Sequence, residues 1–349
     1  MLDAVVIGGG AAGLSAAYWL QRRGPTFVVL EAERESQGAW PAYYDSLTLF
    51  TPARHSALPG LAFPGLPPRY PSRDEVAAYL RAYAAYFAFP VERGAQVVSV
   101  ERGKATFTVT AQDGRNWTAR TVVCASGTFR HPKVPELPGQ SSFGGRLLHS
   151  SEYRHAQPFA GQRVVVVGAG NSGAQIAAEL SQVARVTLAS LRPPRFFPQR
   201  LLGLDLTDWL ALSGLERWPL GRLGRVPDVQ PVIAVPGLRL AFTRGNPDVR
   251  PMFRAFISGG LEWADGRREQ VDSVIFATGY AWNGGYLPKA ALDIMGEPRQ
   301  RLGISTALPG LYFVGLPGQR TVASSTLRAA GPDARFVVGE LAKTLGRPG

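Results

Sequence analysis

The sequence predicts an α/β protein built from two Rossmann-like dinucleotide-binding domains, each three-layered, the second inserted into the first. Residues 164–190, VVVVGAGNSGAQIAAELSQVARVTLAS, read as an apolar strand, a glycine turn with Gly168, Gly170 and Gly173, an alanine-rich helix and a second strand. The N-terminal AVVIGGGAAGLSAAYWLQRRGPTFVVLE repeats that design with Gly8, Gly10 and Gly13 at the same offsets. A 349-residue chain that is 45% hydrophobic has the material for two cores.

The first strand is expected over residues 3–8, its helix over 11–23 and a second strand over 26–31. Gly8 makes the sharp turn, Gly10 lets the backbone approach a pyrophosphate, and Gly13 lets helix and strand pack closely. Ala11 and Ala12 open the helix, whose N-terminus faces the anion. Glu31 sits at the tip of the second strand, followed by Ala32. A carboxylate there can take both hydroxyls of an adenosine ribose, and it would repel a 2′-phosphate.

Residues 36–70 are irregular, yet too rich in apolar and aromatic side chains for a floppy linker. As an ordered loop carrying Gly38, Ala39, Trp40, Tyr44, Phe50 and Arg54, this segment can wall a flat cofactor. Ser72 with Glu75 spells a capping box, and residues 74–87 an amphipathic helix. Residues 95–124 alternate and turn at Gly103 and at Asp113-Gly114, an antiparallel excursion that carries Val98, a cofactor-contact candidate, and returns through Thr121 to Cys124. Ala125-Ser126-Gly127 and the proline-rich HPKVPELPG then lead out of the first domain.

After Ser190 the chain carries arginines where the first unit carries an acid. Ser190, Arg192 and Arg195 suit a dinucleotide with a 2′-phosphate, because guanidinium pairs bidentately with phosphate. The first site should therefore take a dinucleotide without that phosphate, and the second should prefer NADP over NAD. Residues 204–265 are broken by glycine and proline into short patterns. A strand over 271–276 ends in Ala277-Thr278-Gly279-Tyr280; GLYFVG ends at Gly315, and a closing helix runs from about Asp333 to Leu345. Two nucleotide folds in one chain imply electron transfer between two cofactors, most simply FAD and NADPH. Residues 1–160 and 269–349 are then the FAD-binding domain, and residues 161–268 the NADP-binding domain.

Composition narrows the chemistry. The single cysteine, Cys124, rules out a disulfide framework, a thiolate zinc site and a dithiol disulfide reductase of the usual form. His55, His131, His149 and His155 lack metal-site spacing, so no metal is expected. The net charge of +12 is spread along the chain, which suits anionic cofactors better than nucleic acid. The start MLDAVVIGGG has no basic region before its strand, and no apolar run reaches about 18 residues. Neither a secretory signal nor a membrane span is expected, and a cytoplasmic location follows. A ferredoxin reductase and a monooxygenase both remain open at this point.

Phe143-x-Gly145-x-x-x-His149-x-x-x-Tyr153, written FGGRLLHSSEY, resembles the identifying motif of the flavin-containing monooxygenases and lies a short step ahead of GAGNSG, where that family places it. LEAERESQGAW, YDSLTLFTP, YPSRDEVAAYLRAYA, the CASG of residues 124–127 and the FATGY of residues 276–280 follow in the family's order. The resemblance covers nearly the whole chain and is closest to short bacterial flavoproteins similar to plant indole-3-pyruvate monooxygenases. It implies FAD bound at Gly8, Gly10, Ala11, Ala12, Gly13, Glu31, Ala32, Gly38, Ala39, Trp40, Val98, Ser126, Gly127 and Gly315. It implies NADPH bound at Gly168, Gly170, Asn171, Ser172, Gly173, Ser190, Arg192, Thr278 and Gly279.

By the same resemblance, reduced flavin forms a C4a-hydroperoxide with dioxygen and oxygenates a small organic substrate at nitrogen, sulfur or a carbonyl carbon. Phe50, Arg54, His149, Asn171 and Arg320 are the candidate catalytic residues, His149 acting indirectly through linker geometry or the nicotinamide site. Two departures from the family stand out. Animal N- and S-oxygenating members place an asparagine near the flavin in the segment where this chain has Phe50, and Baeyer–Villiger members end the central motif in tryptophan where this chain has Tyr153. An oxidase or reductase passing electrons to oxygen, a quinone or a redox partner is the alternative, and a non-catalytic flavin-binding sensor a further one. The expected partners are a small substrate and dioxygen, with a homodimer through residues 36–70 possible.

Overall fold

A computed structural model of the chain describes residues 1–214 and 232–346. Strand β1 (Leu2–Ile7), helix α1 (Ala11–Arg23) and strand β2 (Phe27–Leu30) form the first unit, the strands pairing parallel from Ala4↔Phe27 to Ile7↔Leu30. Helix α1 stops at Gly24, whose left-handed φ of 82° lets its N–H reach the Leu20 carbonyl. Helix α2 (Arg73–Tyr86) begins at the capping box read from the sequence: Ser72 Oγ accepts from the Glu75 N–H, and Glu75 Oε2 from the Ser72 N–H at 2.8 Å. Strand β3 (Val91–Glu92) flanks β2, and the hairpin β4 (Val97–Arg102) and β5 (Phe107–Ala111) leads into β6 (Asn116–Cys124), which lies parallel to β1.

The chain crosses through β7 (His131–Pro132) and β8 (Arg146–His149) into the second unit, where β9 (Arg163–Val167), α3 (Asn171–Leu180) and β10 (Arg185–Ser190) repeat the strand–helix–strand design. Short elements follow: β11 (Phe196–Pro198), β12 (Arg200–Leu201), β13 (Leu204–Asp205), α4 (Leu206–Ser213), β14 (Val232–Ala234) and α5 (Leu238–Thr243). Next come β15 (Asp248–Pro251), the antiparallel meander β16 (Ala255–Ile257), β17 (Gly260–Glu262) and β18 (Arg268–Gln270), and then β19 (Ser273–Phe276). The second sheet has the order β15-β10-β9-β19-β8, all parallel.

The return strand β20 (Tyr280–Ala281) pairs antiparallel with β7, so the two crossings run side by side. Strands β21 (Gln300–Arg301), β22 (Ile304–Ser305) and β23 (Leu311–Phe313) close the first sheet in the order β21-β22-β23-β6-β1-β2-β3, and α6 (Leu327–Thr344) packs on α1. The C-terminal residues thus complete the first unit, as insertion of one domain into the other requires.

Both sheets are covered on both faces, which is why their strands read as unbroken apolar runs. Ala4 and Val6 face the cluster with α1, α2 and α6, whereas Val5 and Ile7 face the β4–β5 hairpin. In the second unit Val164 and Val166 pack with α3, and Val165 and Val167 with Phe253, Phe256, Leu261 and Trp263 around the meander. Each buried valine or isoleucine side chain among these stabilises the fold by roughly 1.5–3 kcal/mol. Among the described residues no helix is long and apolar enough to cross a membrane.

Two expectations need adjustment. Strands β8 and β19 belong to the second sheet, outside the 161–268 range expected for it, because their partners are β19 and β9 rather than strands of the first unit. The closing helix begins at Leu327, ahead of Asp333, with Pro332 inside it. Its early turn is held by packing, with Trp19 Nε1 donating to the Gly331 carbonyl at 3.1 Å and Gly331 lying against Pro59. Of the unreadable stretch 204–265, residues 215–231 lie outside the described residues, as do 347–349 of the closing segment; the rest holds the short elements from β13 to β17.

Candidate active site

The two glycine turns are built alike. Gly8 and Gly168 have φ of 106° and 112°, which L side chains rarely adopt. Their N–H groups bond the carbonyls just before Glu31 and Ser190 at the ends of the second strands, Leu30 at 2.8 Å and Ala189 at 2.9 Å. A Cβ on Gly13 would meet the Gly8 carbonyl oxygen at 1.8 Å, and one on Gly173 the Gly168 oxygen at 2.0 Å, so only glycine lets each helix press on its turn. A Cβ on Gly8 would meet the Ala125 oxygen, and one on Gly168 the Ala277 oxygen, both at 2.4 Å. Ala-Ser-Gly (125–127) and Ala-Thr-Gly (277–279) are therefore equivalent, each the exit of a third parallel strand lying over its turn.

Gly10 and Gly170 begin α1 and α3 without a side-chain cap. The first N–H groups of both helices, including those of Ala11 and Ala12 and of Asn171 and Ser172, are left for an external acceptor. By contrast, α2 and α4 carry complete capping boxes. Around the first turn Gly38 comes within 3.3 Å of the Cβ position of Gly10, and that of Gly315 (φ 92°) lies 2.8 Å from Ala12. The loop and the C-terminal segment thus meet the turn from two sides.

The strand tips differ. Glu31 is 3% exposed; its Oε2 accepts the Gly9 N–H at 2.7 Å and its Oε1 the Glu33 N–H at 2.9 Å. Arg130 Nη2 lies 3.8 Å from Oε1, outside hydrogen-bond range, so each oxygen keeps a lone pair for accepting ribose hydroxyls. Beside it Ser36 Oγ is buried with no hydrogen-bond partner among the described residues, a polar atom that a bound ribose would satisfy. This cradle fits an adenine dinucleotide without a 2′-phosphate. At the second tip Ser190 Oγ donates to the Arg192 carbonyl at 2.8 Å, and the side chains of Arg192 and Arg195 are exposed. Among the described residues a Cβ on Gly170 would meet nothing within 4 Å. This cradle fits a dinucleotide with a 2′-phosphate.

The FGGRLLHSSEY motif supplies braces between the units. His149 is buried; its Nδ1 accepts the Ser151 N–H at 3.1 Å and its Nε2 lies 3.0 Å from the Gly279 carbonyl, so Nε2 carries the proton. Burial holds its pKa below the usual histidine value. Phe143 packs on Phe256, and a Cβ on Gly145 would collide with the Phe143 ring and with the Asp272 oxygen. Tyr153 packs on Tyr44, whose hydroxyl donates to Gln175 Oε1 on α3 at 2.5 Å. The neighbouring Arg154 donates to the Pro41 and Tyr43 carbonyls of the loop, both at 2.9 Å.

Other candidates are engaged elsewhere. Arg54 pairs with Asp208, and Arg320 with the buried Asp333 at 3.1 Å while stacking on Phe336. Asn171 Oδ1 accepts the Ile233 N–H at 2.9 Å, tying β14 to the helix start. The Phe50 carbonyl accepts from Gln199 Nε2 at 3.1 Å. Trp40, Ala39 and Ala32 lie half-buried in the loop that starts after Glu31, with Trp40 5.7 Å from the Tyr43 ring. Val98 is 46% exposed at a β-bulge, where the β4–β5 register shifts. Ser126 Oγ meets the Tyr286 hydroxyl at 2.9 Å; Thr278 Oγ1 donates to the Lys133 carbonyl, fixing the second crossing against the first. Sequence reading missed Ser36, Gln199, Asp205 and Asp208. The capping spacing of Asp205 and Asp208 was the only local signal among them.

Residues 5–199 match the pyridine nucleotide-disulphide oxidoreductase family. With a single cysteine, this chain shares that family's nucleotide-binding fold without the means for dithiol chemistry. An uncharacterized CzcO-like oxidoreductase of Geobacillus kaustophilus is 34% identical over 98% of both chains. The indole-3-pyruvate monooxygenase YUCCA1 of Oryza sativa subsp. japonica is 31% identical, over 93% of this chain and 88% of its own. Among solved structures, the flavin-containing monooxygenase from Stenotrophomonas maltophilia superposes with a TM-score of 0.87 at 35% identity, covering 99% of both chains. With its two glycine turns and crossing motif in place, the chain belongs to the class B flavin-containing monooxygenase family, whose members are FAD- and NADPH-using oxidoreductases.

Proposed function

We propose that this chain uses NADPH and dioxygen to oxygenate a small organic substrate at nitrogen, sulfur or a carbonyl carbon, releasing NADP and water. The observation that carries the reading is the pair of like turns with unlike tips, Glu31 in one and Ser190 with Arg192 in the other. Two different dinucleotides in one chain need no third redox group. Bound FAD supplies the two-electron chemistry with NADPH and the reaction with dioxygen.

The protein's part is to bind, orient and exclude water. The uncapped start of α1 faces one pyrophosphate and that of α3 the other. Glu31 holds a ribose, and Arg192 and Arg195 neutralise a 2′-phosphate. His149 holds the Gly279 turn beside the second cradle, and the loop over residues 36–70 walls the flavin ring and keeps water from it. The rice relative is named for a 2-oxo acid substrate, which makes the carbonyl class one to try first.

The test is turnover of the purified protein with an amine, a sulfide, a ketone and a 2-oxo acid under isotope-labelled dioxygen. Label in the product of any of them supports the reading. NADPH oxidation matched throughout by hydrogen peroxide, with no labelled product, would overturn it in favour of an oxidase.

A further inference from the structure

The second unit touches the loop at residues 48–56 through a polar cluster that helix capping alone does not require. Asp205 and Asp208 cap α4: Asp205 Oδ1 accepts the Thr207 N–H at 2.8 Å, and Asp208 Oδ2 the Asp205 N–H at 3.0 Å. The same carboxylates also bind the first unit. Asp208 takes Arg54 Nε on Oδ1 at 2.9 Å, Arg54 Nη2 on Oδ2 at 2.5 Å and His55 Nε2 on Oδ1 at 2.7 Å. Asp205 Oδ2 accepts the Tyr70 hydroxyl at 2.7 Å. The Asp208 side chain is 15% exposed, and the Arg54 guanidinium beside it holds its carboxyl well below the usual carboxylate range.

Six residues nearer β10 the contact is repeated. Gln199, 5% exposed, donates to the Phe50 carbonyl, and its own carbonyl accepts the Leu206 N–H at 2.8 Å. Residues 50–55 of one unit are thus gripped at both ends by residues 199–208 of the other, across 149 residues of sequence at one end and 154 at the other.

We propose that this cluster is a clasp whose function is to keep the second unit seated on the flavin-walling loop, so that reducing equivalents taken from NADPH are not lost to water-assisted peroxide release. Arg54, Asp208 and Tyr70 are positioning residues, acting through the loop; Arg54 is not a catalytic group. The loss they restrain is NADPH + H⁺ + O₂ → NADP⁺ + H₂O₂, in which the hydride of NADPH and one solvent proton end on oxygen. The inference rests on the reading that residues 36–70 wall the flavin.

The experiment uses full-length holoenzyme without any organic substrate. Peroxide release during NADPH turnover is compared with the rate of anaerobic flavin reduction by NADPH, and with amide hydrogen exchange at residues 50–55, which should quicken, for Asp208→Asn, Arg54→Gln, the double variant and Tyr70→Phe. Peroxide release should rise about fivefold in Asp208→Asn, the order expected from losing one partly exposed ion pair, with flavin reduction unchanged. The double variant should be no worse than the worse single one, because both remove the same contact. Additive effects, which a lost helix cap would give, or unchanged peroxide release in both single variants would overturn the clasp. So would flavin reduction that changes in step with peroxide release. Absence of flavin reduction by NADPH in the unaltered protein would instead overturn the underlying functional reading.

Discussion

Gly10 and Gly170 enter their helices at φ −81° in both units, with ψ of −171° and −176°, and the same hydrogen bond closes each turn on its second strand. Within that shared frame the residue between the first two glycines differs. It is Gly9 in one unit and Ala169 in the other, and the strand tip explains why. The Gly9 N–H is bonded by the Glu31 carboxylate, and a Cβ on Gly9 would lie 2.8 Å from Glu31 Oε2. Where the tip is Ser190, the neighbouring turn tolerates a methyl group. The chemistry at the strand tip thus reaches back into the turn, and the two units differ together at both positions.

The largest effects come from the glycines common to both units. Gly13→Ala and Gly173→Ala each drive a methyl into a carbonyl oxygen at 2.0 Å or less, which the helix can relieve only by leaving its strand. Gly13→Ala should abolish flavin retention, since the first unit's sheet is its core. Gly173→Ala should leave the protein yellow but slow flavin reduction by NADPH on the order of 100-fold. Flavin spectra and anaerobic stopped-flow reduction check both. Flavin loss in Gly173→Ala would mean that the units do not bind independently.

Next in size is the tip of the second unit. Arg192→Ala should raise the KM for NADPH about 10–100-fold, the weight of a charge-assisted contact, and leave that for NADH unchanged. Adding Ser190→Glu, which copies the first unit, should reverse the preference between the two coenzymes. Equal losses with both would remove Arg192 from the phosphate site.

A smaller effect isolates the turn itself. Gly9→Ala should weaken FAD binding about tenfold as the Glu31 carboxylate is displaced, while Ala169→Gly should cost less than about 1 kcal/mol of stability. Titration of the apoprotein with FAD and thermal unfolding make the comparison. If Gly9→Ala binds FAD normally, the coupling between turn and tip is wrong.

What could be read in advance followed the range of the physics. Both turns, α1 to the residue, and the α2 capping box are set by neighbours within a few positions, so the chain announces them. The membership of β8 and β19 in the second sheet could not be read, because parallel pairing leaves no local signature beyond an apolar run. The start of α6 was misplaced because Pro332 looks like a helix boundary, whereas contacts with Trp19 and Pro59 carry the helix through it. Arg54 was expected near the flavin; its partner Asp208 comes from a stretch whose elements are too short to show a period. Ser36 sits in an irregular segment, and only folding brings it beside Glu31 and Gly9.

The smallest effect separates the two third-strand exits, Gly127 and Gly279. Gly279 is held by His149, whereas among the described residues no histidine bonds Gly127. His149 works only as neutral imidazole, because Nδ1 must accept from Ser151, and burial lowers its pKa from the ordinary value. The unfolded chain therefore takes up the proton near pH 6.5, before the folded chain does. In that window the unfolded state binds more protons, so stability rises with pH and is lost as pH falls below about 6.5. Protonation at Nδ1 sets that N–H against the Ser151 N–H it had accepted, while Nε2 still donates to Gly279, so the disturbance falls on the Ser151 backbone beside the second cradle alone. Lowering the pH from about 8 to 5 should accordingly raise the KM for NADPH before flavin is released, and His149→Gln should flatten the pH dependence of both KM and thermal stability. Flavin loss in step with the rise in KM, or a His149→Gln profile that follows the unaltered protein, would show that the two exits are equally held and that this histidine does not distinguish them.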